Sequence, residues 1–146
     1  MFKKVFLGLI LCLILVSAVS AIDTTSFTVP DDFEDVGDGV YVLYDTLKEP
    51  QQVLSVVSHT EHDADDYLTN DTVNGYTVYP CENNTYNFVD KSMDEKGSFE
   101  LIEVDGEMFI IDFAEYGIDD ASDFNETFDN LMKFNELNGV EPIEFQ

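Results

Sequence analysis

The stretch that most constrains the fold is residues 98–115, SFELIEVDGEMFIIDFAE. Asp105-Gly106 supplies the two positive φ angles that a two-residue hairpin turn requires. Behind that turn, Phe109, Ile111 and Phe113 alternate and so share one face of a strand. A hairpin with an apolar face must be covered. The cover is legible downstream in DDASDFNETFDNLMKFNELNG, residues 119–139. There Phe124, Phe128, Leu131, Phe134 and Leu137 recur at helical spacing and predict a core-facing stripe. Asp119, Asp120 and Asp123 stand near the positive N-terminal end of that helix, and Gly139 is placed to end it.

The remaining segments extend the sheet. SFTV, residues 26–29, reads as a short strand ended by Pro30. VGDG then turns into a strand of β-branched and aromatic residues over 40–46. KEPQQ breaks the pattern, and a third strand is expected over 53–59. The acidic stretch 61–71 reads as a loop, followed by Asn74-Gly75 and a short strand over 76–79. Over 85–96, Tyr86, Val89 and Met93 fit helical spacing with Gly97 as a C-cap, which predicts a shorter helix. The sum is an α+β fold: an antiparallel sheet of about five or six strands, covered by a long C-terminal helix and one shorter helix.

The first residues bear on the compartment. Lys3 and Lys4 precede an apolar run from Val5 to Val16, and Ser20-Ala21 provides a small-residue cleavage site. That is the pattern of a secretory signal peptide over residues 1–21, leaving one α+β domain over 22–146. The twelve-residue run from Val5 to Val16 is short against the roughly 20 residues of a membrane span. Extended through Ile22 the run reaches eighteen residues, so an uncleaved anchor is the alternative to secretion. Bulky Leu11 before Cys12 argues against a lipidated cysteine. With Cys12 gone, Cys81 stands alone, and a small, semi-buried apolar role is its simplest reading. Removing residues 1–21 takes away two lysines and no acid, leaving four lysines against 31 acids and no arginine. Such a chain cannot neutralise phosphates, which excludes nucleic acid and anionic membrane surfaces as partners. Its abundance of Phe, Tyr, Val and Ile separates it from disordered acidic chains.

FTVPDDF resembles the F-x-[IV]-P-x-x-[FW] opening of PsbP-like α+β domains. GSFELIEVDGEMFIIDF and KFNELNGVEPIEF are similar to stretches of small secreted proteins common in methanogenic archaea. The resemblance implies a fold and an extracytoplasmic location, and no catalytic residue.

The chemistry candidates cluster in HTEHDADD, residues 59–66. His59, His62, Asp63 and Asp66 combine imidazole and carboxylate, a donor set suited to zinc or another transition ion. Solvent-facing side chains on an acidic loop are the plainer reading. Calcium-loop templates fail. Starting at Asp63 puts Leu68 and Asn74 where glycine and glutamate belong, and starting at Asp31 puts Val36 and Val42 there. Weak, distributed calcium or zinc binding is what the acidic loops support. No Gly-x-Ser-x-Gly elbow or phosphate loop is present, and nothing local activates Cys81. With 31 acids, choosing any two as a glycosidase pair carries no information. Asn70, Asn83 and Asn125 each open an Asn-x-Thr sequon, a candidate glycosylation site on an exported chain. The leading reading is a non-enzymatic exported acidic domain that acts at or outside the cell surface by binding another surface or extracellular component. The alternative is a divalent-cation module built on the His59–His62 loop, and the third is a small extracytoplasmic hydrolase.

Overall fold

The structure, a computed structural model, describes residues 27–58, 61–117 and 123–144, with backbone alone at 61–63. The expected signal segment and His59 lie outside the described residues. Among the described residues, seven strands rather than the expected five or six form one antiparallel sheet: β1 Phe33–Gly37, β2 Val40–Tyr44, β3 Pro50–Ser58, β4 Tyr76–Pro80, β5 Thr85–Asp90, β6 Glu95–Val104 and β7 Glu107–Tyr116. Among the same residues two α-helices accompany it, α1 Glu61–Leu68 and α2 Asn125–Asn138. Across the sheet the order is β1-β2-β3-β7-β6-β5-β4, so two meanders meet where β3 pairs with β7. The chain passes from the first meander to the second through α1. No described helix is long and apolar enough to cross a membrane.

The hairpin read from residues 98–115 is present as β6–β7, with Val104 paired to Glu107 around Asp105 (φ 52°) and Gly106 (φ 83°). The same chemistry turns β1 into β2 at Asp38-Gly39, also at positive φ. Phe109, Ile111 and Phe113 share their face of the sheet with Leu54, Val56 and Ile102, and α2 sets Leu131 and Phe134 into this layer. Leu137, assigned to the buried stripe, is 50% exposed. Gly139 takes the left-handed conformation at the helix C-cap, as expected.

Three element assignments are corrected. Residues 61–68 are helical rather than loop: Ala64, Tyr67 and Leu68, at i, i+3 and i+4, pack against the Phe88, Phe99 and Leu101 cluster. Three apolar positions suffice to seat a short helix on a sheet while Asp65 and Asp66 face water. Residues 85–96 form no helix. They are β5, a turn, and the start of β6. Asp90 Oδ1 accepts the backbone N–H groups of Ser92 and Met93 and closes that turn. Gly97 is not a cap but a strand residue, where a Cβ would lie 2.1 Å from the Phe113 carbonyl oxygen and 2.7 Å from the Phe88 ring. Residues 27–29 are irregular, and the first strand lies later, at 33–37. The Asn138 side chain acts in place of a neighbouring strand, accepting from Thr28 N (2.7 Å) and donating to Thr28 O (2.8 Å). That leaves Phe27 free to pack edge-on against Phe109. The third strand also begins earlier than KEPQQ suggested, at Pro50, where a missing N–H is tolerated as the first residue of a strand.

Under α2 the sheet is unusually polar. Ser98 bonds Thr127 on the helix (2.9 Å), Asn130 donates to Gln52 (2.9 Å), and Asn135 donates to Glu100 Oε1 (2.8 Å). Lys96 Nζ stands 3.7 Å from Glu115 on this same face.

Candidate functional site

On the opposite face, beneath α1 and the turns at 69–75 and 91–94, lies a cleft of about 490 Å³. Strand register explains it. One cross-strand row runs Tyr76, Asp90, Glu95, Tyr116. The next row on that face contains Phe88, Gly97, Ala114 and Val53. A third places Ser55 opposite Asp112. Glycine and alanine are the smallest side chains available, so the middle row forms a low floor between two carboxylate-bearing rows. Tyr67 from α1, Tyr76 and Phe88 supply aromatic wall.

The carboxylates of the cleft divide into two groups. Asp71 and Asp90 are occupied by turns: Asp71 accepts from Val73 N, Asn74 N and Asn74 Nδ2, and Asp90 from Ser92 and Met93. The hydrogen bonds from Asn74 hold the Asp71 carboxyl below the usual carboxylate range. Asp66, at the mouth, is exposed. Glu95 and Asp112 differ. Glu95 is only 8% exposed and its Oε2 meets no hydrogen-bond partner; Asp112 Oδ1 is likewise enclosed and unpartnered. Burial, then the charges of Asp112 and Asp90, push the Glu95 carboxyl well above its ordinary value. Burial pushes Asp112 up to about 7. Asp90 and Glu95 stand directly opposite each other on the same face, an arrangement of like charges that costs stability in a sheet. Tyr76 donates a hydrogen bond from its hydroxyl to the Tyr67 carbonyl oxygen at 2.7 Å, and burial beside these carboxylates raises its pKa.

Of the proposed metal ligands His59, His62, Asp63 and Asp66, only Asp66 has a described side chain, and it lines this cleft. His62 and Asp63 lie in the α1 backbone one turn earlier, with side chains outside the described set. Among the described residues, no group of three His, Cys, Asp or Glu side chains is arranged to hold a metal ion. Asn70, Asn83 and Asn125 are all exposed. Asn70 uses its side-chain oxygen to accept from Val78 N, and Asn125 opens α2. Cys81 is half-buried, and burial raises its thiol pKa, which disfavours the thiolate. A second cleft of about 480 Å³ lies between the Glu82–Asn84 turn and the end of α2, and among the described residues no buried carboxylate without a partner lines it.

Comparison with known families, known proteins and solved structures finds no match for this chain.

Proposed function

We propose that this chain is an exported, non-enzymatic binding domain acting at or outside the cell surface, and that its ligand enters the cleft between α1 and the sheet. The single observation that carries this reading is the pair Glu95 and Asp112, enclosed on a cleft wall with oxygens that meet no partner. Unsatisfied buried polar atoms cost free energy, and a protein keeps few of them without a use. The volume of about 490 Å³ lies within the range of small-molecule sites, and aromatic walls with a few convergent polar groups are typical of them. Export is supported by Lys3-Lys4, the Val5–Val16 run and Ser20-Ala21. Binding is favoured over hydrolysis because the sequence has no Gly-x-Ser-x-Gly elbow and burial disfavours the Cys81 thiolate.

The test is an NMR screen of the full chain against a library of neutral and charged small molecules. Hits should shift the backbone signals of Ser55, Phe88 and Ala114. A library without such a hit, or with hits mapping only to the cleft near Asn135, would refute the assignment. Mass analysis of the exported protein should place its N-terminus at Ile22.

A further inference from the structure

We infer that the ligand of this cleft is an organic cation carrying N–H donors, a primary ammonium or a guanidinium on a small apolar or aromatic body, with its charged head against Glu95 and Asp112. The inference rests on the reading of the cleft as a ligand site and adds the chemical class. Three observations carry it. The first is the division of labour among the acids: Asp71 spends both oxygens and Asp90 its Oδ1 on turns, while Glu95 Oε2 and Asp112 Oδ1 lack donors. A ligand that satisfies them must bring N–H or O–H groups, so a quaternary ammonium does not fit. The second is the missing countercharge. No lysine or histidine of the described residues lines the cleft, and Asp90 faces Glu95 directly across the strands. A cation entering here relieves that repulsion and leaves water for a pair of carboxylates that form charge-assisted hydrogen bonds. The third is the wall. Tyr67, Tyr76, Phe88 and Met93 offer an apolar surface and ring faces, which suit the body of an organic cation. Among the described residues a metal ion would find no three convergent His, Cys, Asp or Glu ligands there.

The experiment titrates the full chain, at pH 7.5 and low salt, with phenethylamine and benzamidine, and in parallel with their neutral counterparts 2-phenylethanol and benzamide. The cations should bind at least tenfold more tightly than the neutral molecules. Asp112→Asn and Glu95→Gln should each remove that advantage while leaving the weak neutral binding unchanged; both are near-isosteric, and circular dichroism confirms that they fold. Glu107→Gln, an exposed acid on the distant hairpin turn, should leave cation binding unchanged. Equal affinity for cations and neutral molecules overturns the cation inference and leaves the cleft reading standing. If no probe of either kind binds, both fall. Loss of binding in Glu107→Gln would assign the effect to the acidic surface at large. Displacement of phenethylamine by calcium or zinc at equimolar concentration would make the site a metal site and overturn the inference as well.

Discussion

Replacing Glu100 by glutamine should stabilise the protein at high pH and do little at low pH. Glu100 lies on β6 beneath α2 and is fully buried. Its Oε1 accepts from Asn135 Nδ2 at 2.8 Å, while its Oε2 and the Asn135 Oδ1 have no partners. Burial raises this carboxyl from an ordinary 4.5 to about 8, against the opposing pull of the Asn135 hydrogen bond. The fold therefore prefers the protonated acid, whose O–H supplies a donor to a pair of orphan acceptors. The sign follows from linkage. The favourable contribution is complete below about pH 4.5, declines as pH rises, and is gone above about pH 8. At about 1.4 kcal/mol per pH unit across that window, ionisation costs on the order of 5 kcal/mol. That is a large share of the roughly 5–15 kcal/mol available to a domain.

Glutamine has the shape of the protonated acid and cannot ionise. Urea denaturation of the wild type and Glu100→Gln, followed by circular dichroism at pH 5, 6.5 and 8.5 and constant ionic strength, reads the difference. The two proteins should lie within about 1 kcal/mol of each other at pH 5, and the variant should be several kcal/mol more stable at pH 8.5. Glu95 and Asp112 titrate in the same direction in both proteins, so the difference isolates Glu100. A gap independent of pH, or a variant weaker than wild type at pH 8.5, would refute the claim that Glu100 is held neutral by its surroundings.

Gly97→Ala should destabilise by about 3 kcal/mol, near the top of the range for overpacking, because its Cβ would meet the Phe113 carbonyl oxygen at 2.1 Å and the Ala114 Cα at 2.9 Å, both backbone atoms. A thermal melt lowered by less than about 4 °C would show that β6 and β7 can part without penalty. Phe134→Ala should cost about 3–5 kcal/mol, since its ring is fully buried and packs 5.5 Å from Phe27 and 6.4 Å from Phe113. Leu137→Ala on the same helix should stay within about 0.5 kcal/mol, and similar losses for both would mean that α2 seats differently. Raising salt from 10 to about 150 mM, where screening acts over about 8 Å, should raise the melting temperature of a chain with six lysines against 31 acids. A flat response would show that its carboxylates do not repel one another at low salt.

The parts of the fold legible in the sequence are those where local chemistry and long-range packing agree. Asp105-Gly106 has one comfortable backbone conformation, and the alternation behind it has one face to bury. The terminal helix shows its stripe because it has the sheet on one side, where Leu131 and Phe134 are buried, and water on the other. Residues 85–96 show the opposite case. Tyr86, Val89 and Met93 satisfy a helical period, yet Tyr86, Phe88 and Asp90 satisfy a strand period equally well, and short apolar runs carry both. Pairing with β6 decides between them, and no local window contains β6's preference. Helix α1 was hidden for a different reason: its acids dominate the composition, while the three apolar residues that seat it gain their value only once Phe99 is in place.

The cleft was less legible than the fold, although one signal lay in plain view. In β7 the run Phe109-Ile110-Ile111-Asp112-Phe113-Ala114 carries a single acid among apolar residues. Strands buried on both faces read as continuous apolar runs, so a carboxylate in such a run is either an error of assignment or a group with a task. Among 31 acids, Asp112 is thus distinguished by its neighbours rather than by its type. Glu95 could not be found this way, because its meaning depends on the turn at 91–94 that sets it opposite Asp90. A helix over 85–96 would have carried those two acids on different faces. Folding as two strands rather than a helix is therefore what brings the carboxylates together, and the small pair Gly97 and Ala114 beside them keeps the space above the sheet open.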